Sequence, residues 1–136
     1  MARMSLVLWL LLFVFAGYKL HLYWSDTLFS AAGPLAAGKY AVWAALIAFV
    51  AYSLYCSAKE DLFATIGRLA EWHWGRQIGI DLYLGLGLTL FFIYLHTGSL
   101  LTLAVWLVPV LVYGNIATLL YVALNYDSLV ARFLAG

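Results

Sequence analysis

Apolar residues run almost unbroken through four windows of the chain, at about 4–24, 38–56, 77–96 and 100–125. Each approaches or exceeds the roughly 20 residues that a helix needs to cross about 30 Å of hydrocarbon. The first weakens after Lys19. Arg3 followed by Leu6 to Phe15 and Ala16-Gly17 has the outline of a cleaved leader, but the apolar run continues past Gly17, and the pattern predicts a retained first helix. A turn-rich stretch from Ser25-Asp26 to Gly33-Pro34 separates the first two windows. Thr97-Gly98-Ser99 separates the last two, too short for anything but an antiparallel hairpin. Residues 59–74 follow a different rule. There Leu62, Phe63, Ile66, Leu69 and Ala70 recur at helical spacing, with Lys59, Glu60, Arg68 and Glu71 at the other positions. This is the pattern of a helix lying along a membrane interface; an ordinary amphipathic connector has the same pattern without any function attached. No internal repeat or linker divides the chain. The expectation is a single all-α integral membrane domain, residues 1–136, built as a four-transmembrane-helix bundle with a short interfacial helix between helices two and three.

Composition agrees with that reading. The chain is 67% hydrophobic and 10% charged, where a soluble domain is about half apolar and a quarter charged. Lipid must be its solvent. A net charge of +1 leaves no electrostatic footprint for nucleic acid. The single cysteine, Cys56, excludes an intrachain disulfide and any multi-cysteine metal site; a small buried apolar residue is its expected role. With four spans, Arg3, Lys59, Arg68, Arg76 and Arg132 fall on the side of the termini, and Lys19 and Lys39 on the other, five against two. The positive-inside rule then predicts both termini cytoplasmic, in a cytoplasmic (inner) membrane of bacterial type. Trp24, Tyr40, Trp72, Trp74 and Tyr126 lie near the predicted boundaries, where amphipathic rings prefer to sit.

Helices in lipid gain nothing from hydrophobic association, so small and polar residues mark their contact faces. Helix two carries Ala41, Ala45, Ala48 and Tyr52 on one stripe; helix three carries Gln77, Asp81, Gly85 and Thr89; helix four aligns Gly114, Thr118, Tyr121 and Asn125, with Asn115 beside them. The interior is expected between helices two, three and four, with Gly85 and Gly114 facing other helices and helix one more peripheral. Pro109 removes a backbone donor inside helix four and makes a kink there plausible.

Asp81 is the most informative of these residues. A carboxylate about one turn inside a span costs several kcal/mol unless it is paired or neutral. Two readings stand: a proton, cation or ligand site using Gln77, Asp81, Thr89, Asn115, Thr118 and Tyr121, or a structural carboxylate paired with Arg76, a tyrosine hydroxyl or Asn115. His21 and His96 fall at helix ends on the same predicted side and could ligate a haem or a metal, or one of them a chlorophyll-type pigment. Boundary histidines also serve simply as amphipathic residues, and no pair lies deep in one helix. Glu71, Trp72, His73, Trp74 and Arg76 form a polar-aromatic cluster that reads as an interfacial belt or a grip on a headgroup or subunit. No nucleophile, phosphate-loop, dinucleotide or metalloprotease motif is present, so no catalytic residue, resident metal or cofactor is expected.

From about Asp61 to Asn125 the chain resembles a family of small membrane proteins of unknown function found in plants and bacteria. The likeness rests on Trp72 or Trp74, Asp81 and Tyr83, the turn Thr97 to Ser99, Trp106, Gly114-Asn115, Thr118 and Tyr121. It covers about half the chain and implies a helical hairpin, with added weight on Asp81, Tyr83, Gly114 and Thr118, but no activity. Minimal loops and absent catalytic motifs favour a non-catalytic accessory or scaffold subunit of a larger membrane complex, of respiratory or photosynthetic type. Its partners would be the lipid bilayer and other membrane subunits or copies of itself. The alternatives are a small ion or small-molecule carrier using the stripe on helices three and four, and a haem- or pigment-holding protein using His21 and His96.

Overall fold

A computed structural model describes residues 3–24, 28 and 36–134; the turn-rich stretch expected between the first two windows lies, apart from Leu28, outside them. The described residues form α1 (Arg3–Leu22), α2 (Ala36–Lys59), α3 (Leu62–Leu69), α4 (His73–Thr97), α5 (Leu100–Tyr113), α6 (Asn115–Leu124) and α7 (Tyr126–Leu134), with no strand among them. Three of these, α1, α2 and α4, are long and apolar enough to cross a membrane. At 1.5 Å per residue they measure roughly 30, 36 and 38 Å.

The fourth predicted span is a correction. Its window is two helices, joined at Gly114, whose φ of 61° and ψ of −130° end α5 and begin α6. This conformation is open in practice to glycine alone. With 14 and 10 residues, α5 and α6 rise about 21 and 15 Å, too little for either to cross. Pro109 is accommodated inside α5, buried, and the chain turns five residues beyond it.

Side-chain contacts give the course of this hairpin. Descending from the Gly98 turn, α5 runs antiparallel to α1: Trp106 meets the ring of Phe15, and the Tyr113 hydroxyl donates to the Leu8 carbonyl at 2.5 Å. After Gly114 the chain climbs again beside α2. Tyr121 reaches His96 near the end of α4, Ser128 reaches the same imidazole, and Asp127 pairs with Lys39 at the start of α2. The α7 helix therefore sits at the end of the bundle where α1 finishes, opposite Arg3. Four spans would have brought Arg3 and α7 to the same end of the bundle, whereas a hairpin returns the chain to the end it left. Arg132 moves with α7, and the cation asymmetry becomes Arg3, Lys59, Arg68 and Arg76 against Lys19, Lys39 and Arg132.

The core follows the hairpin. Trp106 and Val110 of α5 and Ala117, Leu120 and Tyr121 of α6 are buried, packed with Leu12, Leu46, Leu86 and Ile93 from the three long helices. Trp106 lies edge-on to both Phe15 and Tyr121, with centroids 5.2 and 5.1 Å apart, within the range of favourable aromatic pairs. Helix α1, expected at the periphery, contributes Leu12 and Phe15 to this packing. Before α4, the amphipathic α3 begins at Asp61, whose carboxylate accepts from the Phe63 amide at 3.0 Å, a standard N-cap. The corner from α3 into α4 is tight: a Cβ on Gly75 would run into the Leu69 carbonyl.

Candidate functional site

The polar stripes predicted on the third and fourth windows do not converge on one site. On α4, Gln77 and Asp81 are exposed, while the opposite side of the helix buries Leu86 and Ile93. Asp81 makes no hydrogen bond or ion pair with any described residue. Arg76, proposed as its partner, instead donates through Nε to the Ala70 carbonyl at 2.8 Å. Thr89 turns its hydroxyl back onto the Gly85 carbonyl at 3.1 Å, the local bond that spares a helical threonine an outside partner. Gly85 is exposed and a Cβ there would meet nothing within 4 Å. It faces no helix, and neither does a Cβ on Gly114; the role of Gly114 is its backbone angle. Tyr83 reaches the hairpin by a hydrogen bond, its hydroxyl donating to the Leu111 carbonyl at 3.2 Å.

The residues expected on the facing stripe have separated. Asn115 is exposed, and Thr118 is half-buried with its hydroxyl unpartnered. Tyr121 is buried in a polar cluster at the end of the bundle where α1 and α4 finish. There its hydroxyl meets His96 Nδ1, and His96 Nε2 meets the Ser128 hydroxyl at 2.9 Å. Both imidazole nitrogens are thus engaged by the protein, which leaves neither of them directed at a metal or haem iron. His21 is exposed, and no hydrogen bond or ring contact joins it to His96. Among the described residues no group of three or more His, Cys, Asp or Glu side chains could hold a metal.

Two lysines that sequence reasoning used only as topology markers are buried at this same end. Lys39 is 2% exposed and its ammonium pairs with Asp127 at 2.8 Å. Lys19 places its ammonium 5.4 Å from the Trp106 ring centre, and 5.9 and 6.0 Å from those of Phe15 and Tyr23. A cage of aromatic faces is a recognised environment for a partly desolvated cation. Position near the end of an apolar window could not distinguish a snorkelling lysine from a buried one.

At the opposite end, the hairpin tip stops short and leaves a cavity of about 480 Å³ between α1, α2, α3 and the residues flanking Gly114. Leu8, Trp9, Phe49, Val112 and Ile116 give it apolar walls. Ser5, Ser53, Ser57, Thr65 and Tyr52 add hydroxyls, and Glu60 adds a carboxylate. Trp9 Nε1 donates to Ser57 Oγ at 2.9 Å, which fixes α1 to α2 across the cavity wall. A scan for hydrophobic windows could not find this site, since it exists because the fourth window fails to span. No protein-family model, curated protein or solved structure matches the chain.

Proposed function

We propose that this protein is a non-catalytic subunit of a larger membrane assembly, and that it docks through the outer face of α4. The observation that carries the reading is Asp81: an exposed carboxylate on a helix long and apolar enough to span a membrane, with no partner among the described residues. Facing hydrocarbon, such a group costs several kcal/mol. A second transmembrane helix bringing an amide, hydroxyl or cationic donor to Asp81 removes that penalty. Gln77, one turn away, adds two donors and an acceptor to the same face, and exposed Gly85 and Gly87 permit close approach of the partner backbone. In this reading the Arg3 end of the bundle lies in the cytoplasm, because the exposed cations Arg3, Lys59, Arg68 and Arg76 collect there and outnumber exposed Arg132 at the other end, where Lys19 and Lys39 are buried. The amphipathic α3 then lies along the cytoplasmic interface, with Leu62, Phe63, Ile66 and Leu69 turned to the bilayer.

A photoreactive residue in place of Leu84 or Leu88, in native membranes, tests the docking face. The expected result is one discrete product joining the chain to a second membrane protein, lost in Asp81→Ala and absent when the photoreactive residue replaces Leu10 of α1. A product of twice the 15.1 kDa chain mass would replace the hetero-assembly with self-association. Attachment to lipid alone, in the parent as in Asp81→Ala, would sink the reading.

A further inference from the structure

We infer that the cavity beneath the hairpin tip is a binding site for a single-chain amphiphile with a protonated amine head and no phosphate. The site is independent of the α4 face. Its volume, about 480 Å³, falls within the range of small-molecule pockets, and its lining is graded. Buried Ile116 and half-buried Leu8 lie beside the hairpin tip, with Phe49 and Val112 also in the wall. Exposed Glu60 and half-buried Thr65 lie at the other extreme, where α2 gives way to α3. From Phe49 to Glu60 the helix rises about 16 Å, so an apolar chain can lie against the walls with its head beside the carboxylate.

Charge selects the head. Glu60 is the charged side chain among the described lining residues, and no lysine, arginine or histidine joins it. A phosphate would meet a carboxylate with nothing to neutralise either charge, whereas an ammonium complements it. Thr65 Oγ1 donates to one Glu60 oxygen, Oε2, at 3.2 Å, holding the side chain and leaving the other oxygen for a ligand. Neighbouring Lys59 does not compete, because its ammonium lies over the Tyr55 ring, 5.6 Å from the centre. The hydroxyls of Ser53 and Ser57 supply the acceptors that an amine's remaining hydrogens need. The other wall is fixed by the bonds of Tyr113 to Leu8 and Trp9 to Ser57, so the site is held open by hydrogen bonds between helices.

Cys56, the chain's single cysteine, is exposed rather than buried as expected and lines the cavity, so its alkylation reports occupancy. The full chain in phosphatidylcholine nanodiscs would be titrated with dodecylamine, dodecanol or dodecyl phosphate, following the rate of maleimide attachment to Cys56. Dodecylamine is expected to slow labelling saturably, and dodecyl phosphate at equal concentration to leave it unchanged. In Glu60→Gln the half-protecting amine concentration should rise about fivefold, the scale of one exposed ion pair, toward that of dodecanol. Ser53→Leu, which fills the wall without touching Glu60, should weaken protection by both amine and alcohol. Equal protection by phosphate and amine, protection by amine unchanged in Glu60→Gln, or no protection at all would each overturn the inference. Because Glu60 is exposed, its amide variant folds like the parent, and the comparison reads binding alone.

Discussion

Helices α4 and α6 reverse the relation between hydrophobic length and burial. The 25 residues of α4 make one of the three span-length helices among the described residues, yet Leu86 and Ile93 are the residues it buries. The 10 residues of α6 cannot cross a membrane, yet six of them, Ile116, Ala117, Leu120, Tyr121, Ala123 and Leu124, are buried. In water a long apolar helix must hide most of its surface. In lipid it need not, because hydrocarbon solvates leucine as well as a protein interior does. What has to be covered is the helix whose ends would leave backbone groups unsatisfied within the membrane. A short hairpin set in a membrane would be of that kind, and the bundle closes around this one: α1 supplies Phe15 and the Leu8 carbonyl, α2 supplies Leu46, and α4 supplies Leu86, Ile93 and His96.

Substitutions can break this contrast. The largest effect is expected for Trp106→Ala, which removes the side chain between Phe15 and Tyr121 and leaves a void between hairpin and bundle. A loss of about 2–4 kcal/mol, below the upper range for aromatic truncation in water because lipid-soluble folds gain little from transfer, should appear as lower thermal stability in detergent. A comparable truncation on α4, Leu88→Ala, should be nearly silent; similar losses from both would mean that the two helices are equally integrated. Next comes Gly114→Ala. No neighbour would clash with the new Cβ, so the whole penalty, about 1–3 kcal/mol, is the strain of a positive φ. Wild-type stability for this variant would show that the chain continues through Gly114 as one helix. The smallest effect is expected for Gly85→Ala, in a helical position with open space around it: a change within about 0.5 kcal/mol, tilted toward stabilisation by helix propensity. A large loss there, measured in native membranes rather than detergent, would show that a partner helix occupies the outer face of α4.

Much of the architecture was legible because it is one-dimensional. Apolar windows with turn residues between them mark α1, α2 and α4, and the amphipathic spacing of Leu62, Phe63, Ile66 and Leu69 marks α3. Gly98, at φ 63°, caps α4 by donating its amide to the Tyr94 carbonyl at 2.7 Å, and Ser99 opens α5 by accepting from the Thr102 amide at 3.2 Å. The candidate sites were far less legible. A step of four residues puts Gln77, Asp81 and Gly85 near one face, but that rule cannot say whether the face meets a helix or lipid. Tyr121 and His96 were both singled out, as members of different hypothetical sites, and the fold joins them.

The sequence by itself determined that the chain is helical and apolar enough for a membrane, and it marked four apolar windows, three of which form helices long enough to cross. Those properties follow from local composition and from the fixed rise of an α-helix. Only the tertiary structure decided that the fourth window folds back. A single glycine torsion near the middle of an apolar run leaves hydropathy unchanged, while reversing the direction of everything after it. That reversal places Asp127 beside Lys39 and Ser128 beside His96, moves α7 to the end opposite Arg3, and leaves the cavity lined by Trp9, Glu60 and Ile116. A window average counts methyl groups, and a torsion angle adds none.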